Sequence, residues 1–556
     1  MQNRIDNFKT HIYKLKNLLF ISAAILVITL LFINQPFHTD DPLFIYSARS
    51  INNNIFLPYN FSFPAEDRIR FGFEGFTNPP LNSYFIALIS RFFGEEPIVL
   101  HSFFIIFALF AAFSLYTLSR FFIKNTLLAT CMAIATPVFM VQSHSLMPDV
   151  TVLGFWCLSV YFYIKGLDKK NRKSLLLSSL FISLALLTRY NGLLLILLLF
   201  IYSLLNRKRF NSYIGYLFIP LFVFALWCLH NWFFYGRIHI LSPIAISKEF
   251  YLHSCMVIPR IILHFVYIGS TMVFPVFFAL LFFWKEGSNR RKNLFITIIL
   301  FVSSSWYFWR ISHRTFDILF YGLITSLCLF FFIWIIKNLR GLKDNNGGFY
   351  KSSDDLFFLI WIYVIILFQS SAYFIAPKFT LLLIPPILFL LFRLLERKYI
   401  GLIAYSKIII LAIFILGLLI CQGDYFQANF DSKEIPRVLN DYSKKTGKPV
   451  WFVDCDRNWG YYVPKTFSAI YGRHIFKEGD LVLGTPYFVG LLNRKLFWKP
   501  LYVLFYRTPL IKVLDEINKI FFHFDGFGSY LPYTLAFRKS PLIVIWELIP
   551  EKQSHR

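Results

Sequence analysis

The chain has 556 residues, of which 57% are hydrophobic and 20% aromatic, and its mean hydropathy is +0.57. Soluble domains run at about 45–50% apolar residues, so this composition excludes an ordinary soluble protein. The net charge of +26 would point to nucleic acid in a soluble chain, but here the basic residues sit at alternate ends of apolar runs, which assigns them to membrane faces and excludes a nucleic-acid partner.

The N-terminus carries Arg4, Lys9, Lys14 and Lys16 before an apolar run from Leu18 to Ile33. No small-residue cleavage site precedes Asn34-Gln35-Pro36, so the run reads as a retained signal anchor. Apolar runs then recur with the length of membrane helices rather than barrel strands. Spans are expected at 17–34, 98–119, 126–143, 150–165, 174–188, 192–205, 211–230, 259–284, 294–309, 317–336, 355–373, 379–395 and 400–421. This predicts a mainly α, polytopic bundle of about thirteen transmembrane helices. The first outer loop, about 35–97, is too long for a simple connection, and Pro42 to Ile51 and Leu81 to Phe93 read as juxtamembrane helices.

With a cytoplasmic N-terminus, the inner loops collect 26 of the 56 Lys and Arg and the outer loops 11. That bias orients the chain and puts the tail outside the cytoplasm. From Gln422 the composition turns mixed and polar. A helix near Ser432 to Lys445 and strands at Val450 to Val453 and Leu542 to Leu548 predict a small α/β domain. The expected division is a membrane domain at 1–421 and a soluble periplasmic domain at 422–556. The patches within 481–510 are interrupted by Pro486, Arg494, Lys495, Lys499 and Pro500, which disfavours further spans. The seven cysteines (131, 157, 228, 255, 328, 421, 455) lie mostly inside apolar runs without CxxC spacing, so neither a disulfide framework nor a zinc site is read.

Chemistry centres on His38-Thr39-Asp40-Asp41-Pro42, because adjacent carboxylates at the mouth of a span are costly to desolvate. Asp before Pro is a good helix start, so Asp41 is expected to cap a helix while Asp40 points to substrate. Asp149 also precedes a helix and serves either as a cap or as a second acidic site residue. Arg189 either snorkels to lipid headgroups or binds a phosphate with its planar fork. Arg237, Lys248, Arg260, Arg310 and Lys378 are further cations of the same kind. His38, His144, His253 and His264 show no diagnostic metal spacing, so a divalent metal stays open and its ligands unknown.

These residues carry a resemblance. Thr39-Asp40-Asp41-Pro42-Leu43-Phe44-Ile45, Asn78-Pro79-Pro80-Leu81 followed by Phe93-Gly94-Glu95, Met147-Pro148-Asp149, Leu187-Thr188-Arg189-Tyr190, and Pro377-Lys378-Phe379 with Ile384-Pro385-Pro386 follow in one order. The ordered set resembles the polytopic type C glycosyltransferases, in the bacterial protein-mannosyltransferase-like branch that includes the lipid A aminoarabinose transferases. It covers about residues 15 to 420. The resemblance implies a polyprenyl-phosphate sugar donor, and transfer on the periplasmic face of a bacterial inner membrane to a lipid, glycan or protein acceptor. It implies Asp40 as general base, with Asp149 and Asp41 beside it, and Arg189, Lys378 and Arg237 toward the donor phosphate. Asn78, Pro79, Pro80 and Tyr190 would wall the substrate groove. Where the aminoarabinose transferases have Glu-Lys before Pro-Pro-Leu, this chain has Thr77-Asn78, so their metal-binding Glu has no counterpart at that position. A transporter or flippase, or a polymerase or ligase of lipid-linked glycans, is the alternative reading.

Overall fold

Backbone amides inside hydrocarbon have no water to bond, so long apolar runs must satisfy themselves as helices. Described are residues 2–64, 69–206, 212–245, 257–285, 290–310, 314–340, 350–372, 374–448, 450–453, 461–462, 468–469, 477, 479–484, 497–506, 510–515, 520–522, 531–536 and 540–549 of a computed structural model. The helices are α1 (Gln2–Leu30), α2 (Asp41–Asn53), α3 (Gly72–Gly75), α4 (Leu81–Phe93), α5 (Pro97–Ser119), α6 (Thr126–Ile134), α7 (Pro137–Gln142), α8 (Asp149–Asp168), α9 (Arg172–Thr188) and α10 (Leu193–Leu205). There follow α11 (Phe218–Tyr235), α12 (Val257–Tyr267), α13 (Phe274–Lys285), α14 (Arg290–Trp309), α15 (Thr315–Arg340), α16 (Ser352–Ser370), α17 (Ile384–Lys398), α18 (Ser406–Asn429) and α19 (Ile435–Thr446).

Each expected span overlaps helix among the described residues, and the protein is a polytopic helical bundle. Among the described residues, seven helical segments are long and apolar enough to cross a membrane, or eight if one bent pair counts as a span. Part of the difference from the expected count is short apolar helices. Leu193–Leu205, for example, has 13 residues, short of the roughly 20 that the hydrocarbon core requires.

Two expected spans are broken. The run 126–143 divides at Thr136, which takes an extended conformation and accepts from Phe139 N, while Pro137 opens α7. Proline lacks the N–H that a continuing helix needs, so the chain restarts there. The run 259–284 passes through a π turn at Ile268–Met272 and then Val273, whose φ is +66°. Its two helical halves meet at 88°. Elsewhere the hydroxyls in the bundle turn back on their own helices, as Ser114 does on Phe110 O (2.6 Å) and Ser159 on Phe155 O (2.7 Å). That satisfies polar groups without interrupting the helix.

The core runs through α5, α8, α9, α16 and α17, with Trp156 and Trp361 both fully buried. Between α1 and α5, α2 and α4 pack together, and α4 leaves Leu88, Phe92 and Phe93 exposed. After position 421 the helix continues unbroken to Asn429. Beyond α19 lies a five-stranded mixed sheet, ordered Ser468–Ala469, Val450–Val453, Leu481–Gly484, Ser540–Ile549, Phe497–Tyr506. The first three strands are parallel and the last two pair antiparallel. Within 481–510, Leu481–Gly484 and Phe497–Tyr506 are strands, not membrane helices.

Lys378 and Arg393 lie on one continuous helical segment, separated by roughly 25 Å of rise. They mark opposite ends of the bundle. At the Arg393 end a fully buried guanidinium is held by Asp355, by Asp354 at 3.7 Å and by Lys351 O at 2.7 Å, while Arg397 reaches Asp355 at 2.9 Å. Removing one partner of a buried pair leaves a charge uncompensated, whereas exposed pairs contribute little. Asp355→Asn is therefore expected to destabilise the protein by about 3 kcal/mol. Glu74→Gln, which breaks the exposed Arg237–Glu74 pair, should change stability by less than about 0.5 kcal/mol. Unfolding of the two variants in one detergent compares them, and equal losses would contradict the assignment of the buried pair.

Candidate active site

The acidic stretch is a tight turn. Asp41 N bonds His38 O at 3.1 Å and Leu43 N bonds Asp40 O at 3.0 Å, and Thr39 between them has φ +56°. A β-branched residue in the left-handed region is strained by about 1–3 kcal/mol and persists only where its surroundings over-determine it. Asp41 supplies much of that constraint. It is fully buried, and its carboxylate accepts from His38 N (3.3 Å), Ser145 Oγ (2.9 Å) and Leu146 N (2.8 Å). The expectation that Asp41 caps α2 is thus corrected. Asp40 occupies the cap position, makes no side-chain cap bond, and Asp41 instead ties this turn to the loop before α8.

Asp40 remains partly open, its side chain 22% exposed, and its Oδ2 accepts from Lys378 Nζ at 3.2 Å. Lys378 is buried in the 3-10 segment Pro377–Leu383, and its ammonium also touches Met147 Sδ at 3.0 Å. That segment packs against α7, α8, α12 and α16. Gln369 of α16 donates to Phe379 O at 3.0 Å, which fixes the backbone beside Lys378. His264 in turn contacts Gln369 Oε1 at 3.1 Å.

Asp149 stands in the first turn of α8, a position that the helix dipole favours for a carboxylate. Its Oδ1 pairs with Arg189, whose guanidinium also lies 4.8 Å over the Phe379 ring. It makes no cap bond. Asp149, Val152, Arg189, Asn191, Gln369, Lys378, Phe379, Leu381 and Leu382 line one cleft of ≈ 210 Å³. Lys378 joins Asp40 to it, so Asp40, Asp149, Arg189 and Lys378 converge through two ion pairs. Asn191 and Gln369 are not among the candidates expected from the sequence, and Phe379 is there only as part of the Pro377-Lys378-Phe379 motif.

Other candidates go elsewhere. Arg237 is largely exposed, pairs with Glu74 at 3.1 Å and does not line the cleft. Tyr190 turns away from it into an aromatic network: its hydroxyl contacts His239 Nδ1 (2.7 Å) and Trp227 Nε1 (3.2 Å). Burial lowers the His239 pKa to about 3, although the bond to Phe76 O opposes the shift. Neutral His239 donates to Phe76 O (2.8 Å) through Nε2, so Nδ1 accepts from Tyr190. Asn78 accepts from the Tyr59 hydroxyl at 3.0 Å through its carbonyl, and Pro79 and Pro80 are buried where α4 begins. None of these lines the cleft. His144 meets Ile28 O at 2.9 Å, and Arg310 covers the Trp306 ring at 4.2 Å. Arg260 is buried against Ala372 O. Lys248, His253, Cys255 and Cys455 lie outside the described residues. Among the described residues, no group of three His, Cys, Asp or Glu side chains could hold a metal ion.

His38 has a different partner from any foreseen. Its Nε2 lies 2.8 Å from Asp424 Oδ2 near the end of α18, and Gln35 donates to the same oxygen at 3.0 Å. Burial by itself would lower the His38 pKa. The charge of Asp424 and hydrogen bonds with Asp41 and Asp424 override burial and raise it well above the ordinary value. A raised folded-state pKa means that this stabilisation is complete below the unfolded value of about 6.5 and is lost as pH rises through the folded value. Between about pH 6 and 9 the wild-type melting temperature should fall more steeply than that of Asp424→Asn. Parallel profiles would show that the pair contributes no proton-linked stability.

Residues 77–232 match the family described as dolichyl-phosphate-mannose-protein mannosyltransferase. Among solved structures, ArnT from Cupriavidus metallidurans bound to undecaprenyl phosphate is 14% identical, with 87% of this chain and 95% of that chain covered at a TM-score of 0.37. The archaeal oligosaccharyltransferase AglB from Archaeoglobus fulgidus, in complex with an inhibitory peptide and a dolichol-phosphate, is 14% identical. Its alignment covers 78% of this chain and 60% of that chain at a TM-score of 0.42. Comparison with curated protein sequences gives no match. The segment 77–232, where the similarity to the mannosyltransferase family lies, contains Pro79, Pro80, Asp149, Arg189, Tyr190 and Asn191, in line with the resemblance of the ordered motifs.

Proposed function

We propose that the protein is an integral-membrane glycosyltransferase of the type C class that moves a sugar from polyprenyl phosphate to a hydroxyl of a lipid, glycan or protein acceptor. The observation that carries this reading is the convergence of Asp40–Lys378 and Asp149–Arg189 at one cleft. In the reaction, Asp40 takes the proton of the acceptor hydroxyl as its oxygen attacks the anomeric carbon. The bond from that carbon to the phosphate oxygen breaks, and polyprenyl phosphate leaves with the electron pair. One displacement inverts the anomeric centre. Arg189 and Lys378 face the charge that develops on the phosphate, in a site where water is scarce and fixed cations act strongly.

The resting ion pairs give the donor a second effect. Lys378 is held by Asp40, and an ammonium beside a carboxylate weakens it as a base. A donor phosphate that draws Lys378 to itself leaves Asp40 more basic when the acceptor must be deprotonated. The site needs no nucleotide-binding loop, because the donor's phosphate arrives on a lipid. We place the cleft on the periplasmic face of a bacterial inner membrane, with the chain beyond α18 on the same face, where it helps recognise the acceptor.

Two measurements test this reading. Asp40→Asn should keep donor-lipid binding but lose about 10²–10⁴-fold in transfer rate, because an amide cannot take the proton; wild-type turnover would remove Asp40 as base. For orientation, reporters at Asn345 and after Arg556, both outside the described residues, are expected on opposite faces of the membrane. Finding both on one face would overturn the arrangement.

A further inference from the structure

The cleft presents more acceptors than the described part of the chain satisfies. Asp149 Oδ2 and Asn191 Oδ1 are buried without a hydrogen-bond partner, and both residues line the cleft. Buried oxygens are costly to leave unpaired and are nearly always paired in folded proteins. Two of them at one cleft mark a place where a ligand supplies the donors. Neither is loosely held. Asp149 is fixed through its other oxygen by Arg189. Asn191 rides on the 3-10 turn Tyr190–Gly192, which sits so close to α9 that a Cβ at Gly192 would lie 2.5 Å from Leu186 N.

The chemistry of these oxygens separates two parts of a ligand. A phosphate diester brings only acceptors, so it suits Arg189 and Lys378 and cannot satisfy Asp149 Oδ2 or Asn191 Oδ1. A sugar hydroxyl both donates and accepts, and so fits Asn191 with its amide in either orientation. Building on the glycosyltransferase reading, we infer that Asn191 is a specificity-determining residue. Together with Asp149 Oδ2 it receives hydroxyl hydrogens of the sugar carried by the donor lipid.

The test compares two lipids on the full-length protein in nanodiscs: bare polyprenyl phosphate, and the tightest binder among its mannosyl, glucosyl and galactosyl forms. Asn191→Leu should weaken the sugar-bearing lipid about tenfold while the bare lipid stays within about twofold. Arg189→Ala should weaken both. Equal loss of the two lipids in Asn191→Leu, or no loss of the sugar-bearing one, would overturn the assignment. Should that variant lose its thermal transition, Asn191→Ser is put through the same comparison, with selective loss again required. If the wild type binds neither kind of lipid, the glycosyltransferase reading itself fails, an outcome distinct from failure at Asn191.

Discussion

The buried carboxylate of Asp41 is the constraint on which the site depends. An ionised group out of water must be fully hydrogen-bonded or it destabilises the fold. Asp41 finds its donors in two separate places, His38 N on its own turn and Ser145 with Leu146 before α8. That requirement holds the turn bearing Asp40 against the loop that leads to Asp149. The His38–Asp424 pair adds the end of α18 to the same cluster. Several distant segments are thereby fixed around a few polar atoms, and Asp40 can remain partly open because its neighbour carries the structural load.

The four charges of the cleft follow a different logic. Asp40 with Lys378 and Asp149 with Arg189 balance in sign, so neither buried partner carries an unpaired charge. Such pairs are weak evidence for stability, because desolvation cancels much of their attraction. Their value on the proposed reaction lies in exchange. A lipid phosphate entering the cleft competes for cations already in place, and the carboxylate it releases is the one the reaction needs as a base. Had Lys378 faced solvent, screening would have weakened both the resting pair and its response to donor.

Much of this was legible in the sequence wherever a signal is local. Apolar runs marked the helices, and Asp40, Asp149, Arg189 and Lys378 stood out as charges at the ends of such runs. Arg237 carried the same local signal, yet its partner is Glu74 on an exposed surface; charge at a helix end does not say which way a side chain turns. The capping reading of Asp41 failed for a related reason. Asp-Pro is a strong local helix start, but Ser145 and Leu146 lie about a hundred residues away and outcompeted it. Asp424 was hidden at the end of an apolar run read as the start of a new domain. Asn191 had no signal at all, since an unpaired oxygen can be recognised only after its surroundings are known. The break at Thr136 did have one, in Pro137.

The cleft is made from the irregular parts of a largely regular molecule. Asp40 follows strained Thr39, Asp149 follows a loop, Asn191 rides a single 3-10 turn, and Lys378 lies in the first turn of a 3-10 segment backed by α12 of the bent pair. A continuous membrane helix satisfies its own backbone and points its side chains sideways, toward neighbours or lipid. To aim several polar groups at one point, helices must end or break, and the freed backbone groups then need protein around them. Gln369 meets that need at Phe379 O, as the Asp41 carboxylate does at Leu146 N. The polar side chains near the cleft thus divide into those that hold broken backbone and those that face the ligand, and Asp41 and Asp40, adjacent in sequence, fall on opposite sides of that division.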